Sequence, residues 1–136
     1  MKIKFIRFDE KASIPERAHY TDTGADCRML TKGSVFPGET RVIKTGFGIY
    51  VPNGYSARFQ VRTSIAQQGI IVQSCAIDAH YEGELHYIIT NCSDEPFFWK
   101  EGDKLCYIEV YPTVYPDFVE DFGKERGDDA FGSTGK

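Results

Sequence analysis

The sequence lacks a long apolar run, a surplus of basic residues and a recognisable signal peptide. None of its 136 residues belong to an apolar stretch long enough to span a bilayer. The first nine residues alternate charged and apolar side chains and contain no signal-peptide core. We therefore expect a cytoplasmic protein with no membrane partner. The net charge of -4 also excludes a nucleic-acid polymer as an expected partner, because such binding relies on excess Lys and Arg.

Patterns typical of disulfides and bound zinc are missing as well. The four cysteines form no C-x-x-C pair, so we expect reduced thiols that mostly fill the core. The three histidines lack metal-ligand spacing, which argues against a zinc ion held by side chains. The cysteines are Cys27, Cys75, Cys92 and Cys106.

What the sequence does have is alternation of apolar and polar residues, the pattern of half-buried strands. We predict strands over 42–51, 55–61, 85–90, 97–99 and 105–111, with a hairpin turn at 52–54 after the first of them. The best helix candidate is short, over 64–68, and begins with a hydroxyl residue. Short strands separated by Gly and Pro turns favour an all-β barrel or jelly roll. We expect one β domain over 1–120 and a flexible arm over 121–136.

The proposed arm has few apolar residues but has groups suited to a nucleotide. Phe131 is the one large apolar side chain from Gly123 to the end, so the segment cannot fold alone. Phe131 offers a face for stacking on a base, and Arg126 offers bidentate contacts to phosphate. The backbone of 132–135 can direct N–H groups toward an anion. The simplest interpretation is a disordered tail; the alternative is a mobile arm that closes over a bound nucleotide.

Other segments could also serve a nucleotide. A guanidinium and two hydroxyls follow one predicted strand at Arg62-Thr63-Ser64, where they could bind phosphate. Asp78 lies in a predicted hairpin where it could activate water, and Tyr81 could pack against a sugar. The carboxylates of Asp22 and Asp26 could hold a metal or orient an arginine. Taken singly, each of these segments is equally explained as an ordinary turn, surface residue or packing residue.

The order of these segments resembles the five motifs of the trimeric dUTPase family. The resemblance spans nearly the whole chain, and its most specific part is the ending Phe-Gly-Ser-Thr-Gly. The matching segments are 23–27, 62–66, 75–83, 102–107, and Arg126-Gly127 with 130–135. The chain departs from the family pattern at Ala25, Cys75, His80, Tyr107 and Ala130.

The resemblance implies a distorted jelly roll, a homotrimer with shared sites, and hydrolysis of dUTP to dUMP and pyrophosphate. Asp78 would be the catalytic base that activates water for attack on the α-phosphorus. Mg2+ would be the cofactor, held by the triphosphate and water and not directly by the protein. Asp26 would orient Arg126 or the water. The expected phosphate contacts are Arg62, Thr63, Ser64, Arg126, Ser133 and Thr134. The expected uracil and deoxyribose contacts, partly through backbone groups, are Val72, Ala76, Ile77, Tyr81, Phe131 and Gly132.

Two alternatives to this function stay open. One is a dCTP deaminase-type enzyme on the same scaffold, which would release ammonia from dCTP. The other is a non-catalytic nucleotide-sensing homologue with a regulatory protein partner, which would bind dUTP tightly without releasing pyrophosphate.

Overall fold

The computed structural model describes residues 1–123, and its regular structure is almost entirely antiparallel β-strand. This part of the chain has ten strands and one short helix, α1 (Thr63–Ala66). The strands are β1 (Lys4–Arg7), β2 (Ala25–Arg28), β3 (Gly33–Val35), β4 (Thr40–Lys44), β5 (Phe47–Tyr50), β6 (Tyr55–Val61), β7 (Ile70–Val72), β8 (His86–Asn91), β9 (Phe97–Trp99) and β10 (Lys104–Pro112). The prediction of an all-β protein is confirmed.

Strands that are distant in sequence lie side by side in the sheets. β1 pairs with β5 and β3 pairs with β9. The order of one three-stranded sheet is β2-β10-β6, and the order of the other is β4-β8-β7. Such long-range antiparallel pairing is typical of a jelly roll and differs from a series of hairpins. Ala57, Phe59, Tyr87 and Ile89 are buried, as the alternation in their strands predicts.

The strand predicted over 42–51 is two strands, because the chain turns at Gly46. This residue has a φ of 80°, in the left-handed region that favours glycine. A Cβ atom added there would lie 2.9 Å from a side-chain carbon of Leu30, so space also favours glycine. After the turn the chain changes sheets: β4 pairs with β8, whereas β5 pairs with β1.

The hairpin predicted at 52–54 is wrong, although the chain does turn there. The N–H of Tyr55 donates to the carbonyl of Pro52 at 3.2 Å, and Gly54 has a φ of 89°. The strands on either side do not pair, since β5 pairs with β1 and β6 pairs with β10. In contrast, β7 and β8 do pair antiparallel, as expected for the hairpin that contains Asp78.

The helix α1 starts one residue earlier than predicted and is not capped by a hydroxyl. Its N-cap is Arg62, which makes no side-chain capping hydrogen bond. The carbonyl of Arg62 accepts the N–H groups of Ile65 and Ala66 at 3.0 and 2.9 Å. Thr63 and Ser64 are therefore the first helical residues. Within residues 1–123 there is no helix of the length and apolarity needed to cross a membrane.

All four cysteines are free thiols, but only two of them are in the core. Cys27 and Cys106 are buried and lie directly opposite each other on β2 and β10. Cys75 and Cys92 are exposed, so the expectation of mostly core-filling cysteines is wrong for these two. Burial raises the pKa of the Cys27 thiol to about 12 and raises the pKa of Cys106 well above its ordinary value.

These buried thiols predict a loss of stability at alkaline pH. In the unfolded chain a thiol loses its proton near pH 8.5 to 9, whereas the buried thiols keep theirs, so the folded state binds more protons above that pH. The free energy of unfolding should be constant below the unfolded pKa and fall as pH rises toward about 12 for Cys27. Two such thiols give a limiting slope of roughly 2.7 kcal/mol per pH unit.

Urea unfolding between pH 8 and 10 measures this slope. Cys27→Ala should have roughly half of the wild-type slope, because one of the two buried thiols is gone. Cys92→Ala, which removes an exposed thiol, is the matched control and should keep the full slope. Equal slopes in wild type and Cys27→Ala would contradict the prediction.

Candidate functional site

A polar cavity of about 430 Å³ lies where β6 ends and α1 begins. We call it the phosphate-side cavity. It brings together the predicted phosphate contacts of residues 62–64 and the predicted supporting residue Asp26. The residues that line it are Asp22, Thr23, Gly24, Asp26, Arg62, Thr63, Ser64 and Tyr107. The cavity therefore combines a guanidinium, hydroxyl groups and the first turn of a helix.

Asp26 holds one wall of the phosphate-side cavity in place. Its carboxylate lies 3.8 Å from the guanidinium of Arg62 and 3.8 Å from the ammonium of Lys104. Arg62 also donates a hydrogen bond to the carbonyl of Lys104 at 3.1 Å. The guanidinium is thus fixed by groups from β2 and β10 before any ligand arrives, and this lowers the entropic cost of binding an anion. Arg126, the partner expected for Asp26, lies outside the described residues.

Two residues of this region were missed as site residues. Lys104 is ion-paired with Asp26, and Tyr107 lines the cavity. A Cβ atom on Gly24 would lie 2.2 Å from the Tyr107 ring, so the ring packs directly against the backbone of the loop before β2. Tyr107 lies in the matching segment 102–107, and the alternation of β10 also indicates it, because Cys106 and Ile108 face the core and their neighbour must face outward.

An arginine within β6 serves a different purpose from Arg62. Arg58 is ion-paired with Glu109, which also accepts a hydrogen bond from Gln60 at 3.1 Å. The guanidinium of Arg58 lies 4.7 Å from the ring centroid of Tyr111. The hydrogen bond from Arg58 lowers the pKa of the Glu109 carboxyl. Arg58 is therefore a cross-strand contact on the sheet surface and a useful control for Arg62.

A second cavity, of about 260 Å³, lies against the connection between β7 and β8. We call it the base-side cavity. It brings together four of the predicted catalytic and nucleoside contacts, Ala76, Ile77, Asp78 and Tyr81. The other lining residues are Phe59, Gln73, Cys75, Glu84, Leu85, His86 and Ile88.

The structure changes which groups of this segment can contact a base. The N–H of Ile77 donates to the carbonyl of Ala57 at 2.7 Å, and the carbonyl of Ile77 accepts the N–H of Ala57 at 3.1 Å. The predicted backbone contact of Ile77 with uracil stays a prediction, and of these two groups only the carbonyl oxygen, which can accept a second hydrogen bond, is open to it. Within residues 1–123, the N–H groups of Ala76 and Asp78 have no hydrogen-bond partner. Val72 is only 5% exposed and is not among the residues that line the cavity, and its predicted backbone contact with uracil stays a prediction.

Asp78 and Tyr81 lie at the exposed end of the base-side cavity. The N–H of Tyr81 donates to the carbonyl of Asp78 at 3.3 Å, which closes a tight turn. The Tyr81 ring folds over Gly83: a Cβ atom on that glycine would lie 2.2 Å from the tyrosine hydroxyl oxygen. Glycine is thus required at position 83 for this ring orientation.

The two cavities contact different parts of β6: Phe59, within the strand, lines the base-side cavity, whereas Arg62, after the strand, lines the phosphate-side cavity. Ile77 bridges to Ala57, while Arg62 follows the last residue of the strand, five positions further along. At the rise of an extended strand, the Cα atoms of Ala57 and Arg62 are roughly 16 Å apart. Within one chain, therefore, Asp78 and the predicted phosphate contacts do not line a common cavity. Five other predicted contacts lie outside the described residues: Arg126, Phe131, Gly132, Ser133 and Thr134.

Comparisons with known proteins agree with one another. The family model described as dUTPase matches residues 10–135. The chain is 32% identical to the deoxyuridine 5'-triphosphate nucleotidohydrolase of Corynebacterium glutamicum over 141 residues, covering 98% of this chain and 95% of that relative.

Two solved structures share the fold. The dUTPase from phage phi11 of S. aureus, described with a structural Mg(II) ion, has a TM-score of 0.81 at 24% identity, over 93% of this chain and 100% of that one. The Staphylococcus bacteriophage 80alpha dUTPase with dUPNHPP has a TM-score of 0.82 at 21% identity, over 92% of this chain and 90% of that one.

Proposed function

The chain belongs to the dUTPase family, and on that premise we propose that it hydrolyses dUTP to dUMP and pyrophosphate. The observation that carries the proposal is the extent of the family match, which runs from residue 10 to residue 135 and includes both cavities. The phosphate-side cavity offers groups for a triphosphate, and the base-side cavity offers a carboxylate beside a slot for a nucleoside.

The proposed base is Asp78. Its carboxylate lines the base-side cavity and is exposed, so water can reach it. It would accept a proton from a water molecule that attacks the α-phosphorus in line with the departing pyrophosphate. Negative charge then grows on the phosphate oxygens, where Arg62, Thr63 and Ser64 would supply N–H and O–H donors.

The proposed cofactor is Mg2+ bound to the triphosphate. The phosphate-side cavity is lined by Asp22 and Asp26, but Asp26 is already paired with two cations, and the Asp22 carboxylate accepts the backbone N–H of His19 at 2.9 Å. In residues 1–123 no three acidic, His or Cys side chains are grouped so as to hold a metal. The groups that line the phosphate-side cavity therefore suit a triphosphate that binds with Mg2+ already coordinated to it. When bound, Mg2+ would orient the triphosphate and offset its charge.

We further propose a homotrimer in which each site is shared between chains. The two cavities share no lining residue, as expected if a complete site takes one cavity from each of two chains. The segment after β10 supplies a second argument, since large apolar side chains in residues 113–123 are exposed. Val114 is 84% exposed, Phe118 94% and Phe122 81%. Exposed apolar groups in such density mark a surface that another chain covers.

The remaining assignments are proposals that concern the end of the chain and its setting. Arg126, Ser133 and Thr134 would contact the phosphates, while Phe131 and Gly132 would cover the uracil. A cytoplasmic location and a regulatory protein partner also stay predictions.

One nucleotide panel tests the proposed activity. Pyrophosphate and ammonia release are measured from dUTP, dCTP, dTTP and UTP, with and without Mg2+. We expect pyrophosphate from dUTP in the presence of Mg2+ and little from the other nucleotides. Ammonia from dCTP would instead establish the deaminase alternative. Tight dUTP binding without pyrophosphate release would establish the nucleotide-sensing alternative.

A further inference from the structure

The turn that carries Asp78 contains a residue in an unusual conformation. His80 has a φ of 68° and is the only non-glycine residue with a positive φ within residues 1–123. This region disfavours side chains that have a Cβ atom, so the conformation persists only where surrounding contacts hold it. His80 lies between the proposed base, Asp78, and the proposed sugar contact, Tyr81.

The contacts that hold His80 come from β5 and the residue after it. The imidazole stacks on the Tyr50 ring, with 5.2 Å between the centroids and 11° between the planes. The N–H of His80 donates to the carbonyl of Val51 at 2.9 Å. The ammonium of Lys4, on β1, lies 5.3 Å from the centroid of the same Tyr50 ring. Tyr50 is therefore fixed from the neighbouring strand as well.

A second set of contacts joins the end of the turn to the same strand. A Cβ atom on Gly48 would lie 2.5 Å from the carbonyl oxygen of Gly83, so the two backbones approach more closely than another residue allows. The N–H of Gly46 donates to the Glu84 carboxylate at 3.0 Å, and the N–H of Leu85 donates to the Phe47 carbonyl at 2.9 Å. The turn is thus anchored to β5 at both its middle and its end.

The Asp78 carboxylate itself has no comparable support. Within residues 1–123 it takes part in no hydrogen bond and no ion pair, so its position depends on the backbone that carries it. Proton transfer is sensitive to placement, and a displacement of about 1 Å can lower turnover by roughly 100-fold. The backbone anchor is therefore the part of the structure that sets the Asp78 geometry.

We propose that His80 is a positioning residue, which acts through its stack on Tyr50 to fix the backbone between Asp78 and Tyr81. The inference rests on the proposed role of Asp78. His80 is one of the positions where this chain departs from the family pattern. The contact that would fix the position of Asp78 is an aromatic stack that lies outside the base-side cavity.

The test compares variants that remove the stack from either side. His80→Gly accepts the positive φ but lacks the ring, and Tyr50→Leu removes the other ring. Each should lower kcat for dUTP by about 10-fold or more. Because both remove the same contact, the double variant should be no slower than the slower single variant. Tyr50→Phe, which keeps the stacking, should retain most of the turnover, as should Tyr20→Leu, a matched change at a tyrosine that is 96% exposed.

Two further readouts separate positioning from a general loss of structure. His80→Gly loses the stacking energy but relieves the backbone strain at a positive φ, and these two effects on stability oppose each other. Its thermal midpoint should therefore stay close to that of the wild type while kcat falls. In proton NMR spectra, the imidazole signals of His80 should be shifted upfield by the Tyr50 ring. They should move toward the positions of exposed histidines in Tyr50→Leu.

Each outcome decides the inference. Unchanged kcat in His80→Gly and Tyr50→Leu, with turnover abolished by Asp78→Asn, would refute positioning by His80 and leave the proposed base intact. Additive losses in the double variant, or loss of kcat only in proportion to loss of folded protein, would also overturn it. Normal turnover by Asp78→Asn would remove its premise and would be recognised from that variant alone.

Discussion

Asp78→Asn is expected to lower kcat for dUTP by roughly 10²- to 10⁴-fold while the protein still folds and binds the nucleotide. The carboxamide has the shape of the carboxylate but cannot accept the proton of the attacking water. Folding should be unaffected, because Asp78 is exposed and, in residues 1–123, its side chain forms no hydrogen bond or ion pair. Pyrophosphate release measures kcat, and titration with a non-hydrolysable dUTP analogue measures binding.

The matched control is Asp94→Asn, the same chemical change at another exposed carboxylate. It should leave kcat within about twofold of the wild-type value, since surface substitutions away from a site have small effects. Circular dichroism of both variants should be that of the wild type. Near-normal turnover by Asp78→Asn would show that another group takes the proton, and it would withdraw the proposed mechanism.

Features of the fold that depend on neighbouring residues could be predicted from the sequence, whereas features that depend on contacts between distant residues could not. The faces of β6 and β8 follow from alternation, which is a property of neighbouring residues. The pairing of the strands does not, because the paired residues of β1 and β5 are at least 40 positions apart in the sequence. The sequence at 52–54 has strong turn residues, and the chain turns there, but a turn does not determine which strands pair. The break between β4 and β5 at Gly46 was not predicted for the same reason, because glycine is favoured there partly by the nearby side chain of Leu30.

The candidate site shows the same division. The segments that hold Asp26, Arg62 and Asp78 could be located, because each carries its chemistry in a short stretch. The contact of Asp26 with Lys104 could not be predicted, since it depends on how β2 and β10 are paired. The backbone hydrogen bonds of Ile77 depend on its bridge to Ala57, which is equally non-local. The residues that carry the chemistry of the site were therefore easier to predict than the contacts that position them.

The separate linings of the two cavities lead to a prediction about how chains share a site. Arg62→Ala should lose roughly 10²- to 10³-fold in turnover, as expected for removing a donor to developing negative charge. The Arg62→Ala chain retains an intact Asp78, however, and an Asp78→Asn chain retains an intact phosphate-side cavity. If a site takes these two parts from different chains, a mixed trimer contains some complete sites even though neither variant is active alone.

Refolding the two inactive variants together at equal concentration should therefore restore activity. Random assembly places both intact parts at roughly one quarter of the sites, so the mixture should reach about that fraction of the wild-type rate. Each variant refolded alone should stay inactive, and Arg58→Ala, which changes an arginine within β6 that lines neither cavity, should be active without any partner. A mixture no more active than its separate components would mean that one chain supplies both parts, and that the two cavities act together within the chain when the substrate binds.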